Sequence, residues 1–300
     1  MGRGAHKSRV LPGHYSPAVE ELYRLANRHV ARRNFTAARR VLARSIRRNP
    51  DDIEAWMLQG RILGEGLGEL HAAGAAFSKA VALDPNNAEA NRQLGRNLHA
   101  RGRYEEAERC LQAALALDAA DAKAWWALGL VYTCLERHHL AVKAHREASR
   151  LDPADSTSHR DLGDALSTLE RYEEAKDAYR EAVRLNPRDA DAHAELGDVL
   201  VRLGKPLEAE AAFKRAVRLC PKYGEWRMRL GVLYWQMDRV SRAEKYLRDA
   251  VRVSPRMWFA YEALAAFLEE RGKVEESKRA YRMFVKLARQ RPVLENGGYY

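Results

Sequence analysis

Cysteine is scarce in this chain: Cys110, Cys134 and Cys220 are far apart and odd in number. Neither a disulfide framework nor a CxxC metal pattern can be built from them, and a reducing compartment, the cytoplasm, is the simplest expectation. Long apolar runs are also missing, with none near the ~18 residues that span a bilayer, so no membrane partner is expected. The N-terminus lacks the apolar core of a secretory signal. Residues 1–18, MGRGAHKSRVLPGHYSPA, contain no acid, as in mitochondrial presequences. This makes the mitochondrial matrix the alternative location, although Gly and Pro interrupt any amphipathic helix there.

Catalytic signatures are equally thin. Gly64, Gly66 and Gly68 sit in GEGLGELH, but no strand precedes them and no Lys-Ser/Thr follows, so they read as a helix-helix connection and not a phosphate loop. Cys134, His138, His139 and His145 lie close in sequence, yet tetrahedral zinc needs four convergent ligands at closed spacing. They read as turn and packing residues. No Ser-His-Asp context or paired carboxylates on a defined cleft can be found. The chain is read as a non-enzyme with no cofactor and no metal.

What is abundant is charge. The 300 residues are 31% charged and 46% hydrophobic, with a formal net charge of +11, a composition of globular rather than disordered proteins. Residues 1–52 carry twelve Lys/Arg against four Asp/Glu, and 224–257 carry eight against four. The stretch ARRNFTAARRVLARSIRRNP (31–50) contains Arg32, Arg33, Arg39, Arg40, Arg44, Arg47 and Arg48 and no acid. By itself it looks like a grip for nucleic acid.

The chain also repeats. Prolines stand at Pro50, Pro85, Pro153, Pro187, Pro221 and Pro255, and Ala119 fills the missing position. A Leu-Gly pair follows at Leu94-Gly95, Leu128-Gly129, Leu162-Gly163, Leu196-Gly197 and Leu230-Gly231. Alanines recur twelve residues beyond each glycine, at Ala107, Ala141, Ala175, Ala209 and Ala243. Apolar residues three and four apart then make two stripes per unit, which implies two helices packed antiparallel. Proline ends the second helix because it lacks an N–H and disfavours helical geometry in the residue before it.

The pattern Trp-x2-Leu-Gly-x2-Tyr, Ala-x3-Phe and Pro at a period of 34 resembles the tetratricopeptide repeat (TPR) family. AWWALGLVYTCLERHHLAVKAHREASRLDP (124–153) shows it most fully. The resemblance implies an all-α, right-handed superhelical solenoid of about eight helix-turn-helix repeats, beginning near 19, 53, 88, 122, 156, 190, 224 and 258. A basic arm would precede it over 1–18, the solenoid would span 19–291, and a tail would follow over 292–300. The second unit has 35 residues, and its extra residue is expected to loosen the turn around Gly64–Gly68. Ser16-Pro17 before Glu20 and Glu21 reads as a helix start.

In this family the first helices of the repeats line a concave groove that takes a peptide or a partner protein. Carried onto this sequence, the groove would present Arg92, Arg96, Trp126, Leu130, Arg160, Asp164, Glu195, Asp198, Arg229 and Trp235, with the two tryptophans as anchors. The Lys-x2-Gly-Asn element of the chaperone-tail clamp is absent, since Gly95 sits in RQLGRN. The expected function is a protein-protein interaction scaffold. The alternative is a nucleic-acid-associated subunit of a ribonucleoprotein or organellar assembly, with the seven arginines meeting RNA or an acidic partner. The last helix, ESKRAYRMFVKLARQ, keeps Tyr281, Phe284, Val285 and Leu287 where a solvating helix is usual, so assembly through that face is a further expectation.

Overall fold

The computed structural model describes residues 17–290. The expected basic arm and C-terminal tail, and the Ser16 cap, lie outside the described residues, except that the first helix already begins at Pro17. Among the described residues there are sixteen α-helices and no strand. They fall into two compact units, divided after Leu151.

The first unit holds α1 (Pro17–Ala31), α2 (Phe35–Arg48), α3 (Ile53–Arg61), α4 (Leu70–Leu83), α5 (Ala88–Ala100), α6 (Tyr104–Leu117), α7 (Ala122–Cys134) and α8 (His138–Leu151). The second holds α9 (Ser156–Thr168), α10 (Tyr172–Leu185), α11 (Ala190–Arg202), α12 (Pro206–Leu219), α13 (Gly224–Gln236), α14 (Val240–Val253), α15 (Trp258–Glu270) and α16 (Val274–Arg289). Odd-numbered helices are the first of each hairpin and even-numbered ones the second. Within each unit a second helix also packs on the first helix of the next hairpin, as α6 does on α7 and α10 on α11. This stacking gives each hairpin the buried neighbour that it cannot provide for itself.

The core contact of a hairpin is a side chain seated on a glycine. Tyr179 and Phe213 are almost fully buried, and their rings occupy the space that a Cβ would need at Gly163 and Gly197, 2.7 Å away in both cases. Leu111, His145 and Leu247 fill the same place over Gly95, Gly129 and Gly231. In the last hairpin Ala265 stands where the glycine would be, and Tyr281, sixteen residues on, is 55% exposed. The alanine methyl already fills the seat.

The turns inside the hairpins are equally regular. Each contains one residue with positive φ: Gly68, Gly102, Gly204 and Gly272 where glycine is available, and Arg33, Glu136, Glu170 and Asp238 where it is not.

The second repeat departs from expectation. Its extra residue is absorbed by a π-helical segment, Ile62–Gly66, that continues α3, with Leu67 N–H donating to the Ile62 carbonyl at 3.1 Å. The widened coil keeps its hydrogen bonds, so no loose loop forms. Phe35 explains why Gly66 is needed, because a Cβ there would lie 2.5 Å from its ring.

Candidate functional site

Two recurring side-chain devices settle what much of the first-helix surface does. Near the start of α3, α5, α7, α9 and α11, a ring or amide N–H donates to the carbonyl six residues earlier, closing the preceding turn. Trp56 donates to Pro50 at 2.8 Å, Asn91 to Pro85 at 3.0 Å and Trp125 to Ala119 at 3.0 Å. His159 and His193 do the same with Nε2 to Pro153 and Pro187, both at 3.2 Å. The imidazoles therefore stand in for an indole N–H.

The second device ties one first helix to the next. Asp52, Asp121 and Asp189 each accept from backbone N–H groups at the start of their own helix. Each also meets a residue 29 positions earlier: Asp52 accepts from Tyr23 at 3.0 Å and Asp189 from Arg160 at 3.1 Å, while Asp121 is ion-paired with Arg92 at 2.8 Å. Arg92 is buried and also paired with Glu89. The expected groove residue is thus held as a tie between repeats. Arg160 is half-buried and holds Asp161 as well as Asp189.

In the second unit α9, α11 and α13 present an open cleft. One part, of about 530 Å³, is lined by Arg160, Asp164, Ser167, Tyr179, Asp191 and Glu195. The next, of about 630 Å³, shares Ser167 and is lined by Tyr172, Asp198, Val201, Met228, Arg229 and Val232, among others. Asp191, Glu195 and Asp198 follow i, i+4, i+7 and so share one face of α11.

The cleft is short of positive charge. Arg229 is its main cation, paired with Glu195 at 3.1 Å, with Glu225 at 2.6 Å and with Asp198, and set 5.1 Å from the Trp226 ring centroid. Burial works against the Arg229 charge, but those three carboxylates outweigh it and raise its pKa. Even so, burial, reinforced by Glu195 and Glu225 against the pull of Arg229, raises the Asp198 carboxyl to about 7.

Asp164 is raised to about 6, first by burial and then by Asp161 and Glu195, although it accepts a hydrogen bond from Tyr179 Oη at 2.6 Å. Solvent reaches both carboxyls through the cleft mouth, and Asp198 is 41% exposed. Protein packed on the remaining sides is what makes them hard to charge.

The other expected residues scatter. Arg96, Trp126 and Leu130 are half-buried and belong to the first unit, where Arg96 donates to Gln93 at 3.4 Å. Trp235 is engaged rather than a free anchor: its Nε1 donates to Glu270 at 2.9 Å and its ring meets Phe267 edge-on at 5.6 Å. The seven arginines of the first repeat are all exposed, and Arg39 is tied to Glu69 at 2.9 Å. At the other end Phe284 lies between Trp258 and Tyr281, with ring centroids 5.8 and 5.4 Å away.

A model described as the Cilia and flagella-associated protein 70 C-terminal domain matches residues 94–293, two-thirds of the chain, and two described as Tetratricopeptide repeat match 23–88 and 76–109. The chain belongs to the tetratricopeptide repeat family. Over residues 94–293 it belongs to the family of that C-terminal domain.

Solved TPR structures are similar to it. YrrB, described as a TPR protein with an unusual peptide-binding site, is 26% identical, with 63% of this chain and 98% of YrrB covered and a TM-score of 0.57. MamA from Desulfovibrio magneticus RS-1 is 26% identical over 59% of this chain and 99% of its own, with a TM-score of 0.54. A TPR protein from Parabacteroides merdae, 16% identical, covers 84% of this chain and all of its own at a TM-score of 0.60, and shares the fold. No curated protein matches the chain.

Within the TPR cleft, sequence reasoning missed Tyr172, Tyr179, Glu225, Val232 and the double role of Asp189. The 29-residue offset between a cationic or hydroxyl side chain and the next capping Asp was the signal for the last of these. Among the described residues no group of three or more His, Cys, Asp or Glu is placed to hold a metal ion.

Proposed function

We propose that the chain is an interaction scaffold, and that a partner protein is held as a peptide segment in the first-helix cleft of the second unit. The carrying observation is the open cleft over α9, α11 and α13, which combines apolar lining from Met228 and Val232 with unbalanced charge. That is the composition of a protein-binding surface, with an apolar core and a polar rim. The TPR fold itself is that of a protein-interaction scaffold, and the peptide-binding site named for YrrB supports a peptide as the ligand. The mechanism is presentation of a preorganised surface with no bond chemistry. Three cysteines with no disulfide suit a reducing compartment, which we take to be the cytoplasm.

The nucleic-acid reading is weaker on physical grounds. Stacking aromatics among the arginines are needed for single-stranded RNA, and the two in the described part of that region are engaged: Tyr23 with Asp52, and Phe35 with Gly66.

A photo-crosslinking residue at Ser167, inside the cleft, and another at Leu207, exposed on second helix α12, test the proposal in native extract. Crosslinks to a defined partner are expected at Ser167 and not at Leu207. Equal yields at both positions would refute a cleft-bound partner.

A further inference from the structure

Charge and shape together narrow the occupant of that cleft. The chain as a whole is strongly basic, with a net charge of +11. A face with excess negative charge is therefore a local exception to the chain's own electrostatics. On it, α9 contributes Asp161 and Asp164, α11 contributes Asp191, Glu195 and Asp198, and α13 contributes Glu225. Four of these six, Asp164, Asp191, Glu195 and Asp198, line the cleft against three arginines, Arg160, Arg202 and Arg229, while Asp161 and Glu225, outside the lining, hold Arg160 and Arg229. Arg160 is already held by Asp161 and Asp189, and Arg229 is shared among three acids.

Among the described residues no three of these carboxylates are placed to hold a metal ion, and the three that converge, Glu195, Asp198 and Glu225, do so on Arg229. They are strung along a cleft whose two parts meet at Ser167 and whose walls include Tyr172, Val201, Met228 and Val232. An extended ligand with spaced cations and intervening apolar groups matches that layout, whereas an anionic segment meets repulsion along its whole length.

We infer that the cleft selects a basic peptide segment, in which arginine or lysine side chains pair with Asp164 and Asp198 while an aliphatic side chain covers Met228 and Val232. The inference rests on the proposed scaffold function and names the chemistry of its partner. The titration behaviour agrees. Asp198 is raised to about 7 and Asp164 to about 6, so near neutrality part of each population carries a proton that an incoming cation would displace. The charged and titrating groups facing Asp164 are Asp161, Arg160, Tyr179 and Glu195, and those facing Asp198 are Glu195, Glu225 and Arg229. The displaced protons therefore come from the carboxylates that contact the ligand.

The test is fluorescence anisotropy of the full chain with short labelled peptides, one alternating arginine and leucine, one glutamate and leucine, and one serine and leucine. The arginine-leucine peptide should bind, the glutamate-leucine peptide should not, and affinity should rise from pH 6 to pH 8. Calorimetry in two buffers of different ionisation enthalpy should show proton release on binding. The Asp164→Asn/Asp198→Asn pair should weaken binding on the order of tenfold. Asp191→Lys, on an exposed side chain that does not endanger folding, should do the same.

Equal binding of the arginine and glutamate peptides, or no effect of either variant, overturns the inference. If the glutamate or serine peptide binds and a probe at Ser167 crosslinks to it, the basic specificity fails while the peptide-holding function stands. If no peptide binds and Ser167 captures nothing, both fail.

Discussion

At the scale of single residues, spacing in the sequence tells where side chains meet but not what they are doing there. The glycine seats were legible: Gly163 recurs in the repeat, and the structure shows Tyr179 lying where its Cβ would go. Tyr179 is buried and anchored by its hydrogen bond to Asp164, so it cannot swing aside. Gly163→Ala should therefore cost about 2 kcal/mol through overpacking, despite alanine's better helix propensity, measured as a fall in denaturant midpoint at unchanged m-value.

Arg92 and Arg160 were not legible. Their positions on a first helix are shared with groove residues, and beyond the 29-residue offset nothing in the sequence marks Asp121 and Asp189 as their partners. Asp198 yields a second prediction. Its folded carboxyl titrates near 7 and its unfolded one near 3.8, so the folded state binds the extra proton between those values. Its contribution is favourable below the unfolded pKa and is lost as pH rises through the folded one. Asp198→Asn, which cannot ionise, should gain thermal stability relative to the wild type as pH is raised from 5 to 8. A difference in Tm that stays constant over that range would contradict the assignment.

At the scale of helices and turns, the sequence carries most of the information because the determinants are local. Proline stops, seat glycines and capping acids all act within a few residues of where they stand. The π-helical continuation of α3 was the exception. A 35-residue unit announces an extra residue, but nothing local says whether a coil or a loop will take it up. Here the seat of Phe35 on Gly66 decides, from another hairpin.

Capping supplies a prediction of its own. Asp52, Asn87, Asp121, Asp155 and Asp189 each bond a backbone N–H of the helix they precede, whereas Tyr223 and Met257 give α13 and α15 no side-chain cap. Met257 has the same extended backbone, φ −81° and ψ 90°. Met257→Asp should thus add about 1 kcal/mol, visible in equilibrium unfolding and as slowed amide exchange in the first turn of α15.

At the scale of the whole molecule, net charge misleads. A value of +11 suggests a partner of opposite sign everywhere, yet the lining of the second unit's cleft holds more carboxylates than arginines. The arginines of the first repeat remain exposed, but their aromatic neighbours are occupied in packing. Full-length protein should accordingly retain no generic single-stranded RNA at physiological salt in a filter assay. Binding that persists there, with a slope of about 0.7 per phosphate contact, would instead assign the basic repeat to nucleic acid.

The odd second repeat also bears on how such a chain can change length over generations. From Ala88 onward the first helices begin at residues 88, 122, 156, 190, 224 and 258, a constant step. A gene that gains or loses one of these units rejoins in phase, with the positive-φ turn at the same offset on both sides of the joint. The same exchange at the second repeat would bring its extra residue and the Phe35 seat out of step with any neighbour it was spliced to. The constant step after Asn87 suits the exchange of whole units, and the extra residue of the second repeat opposes it.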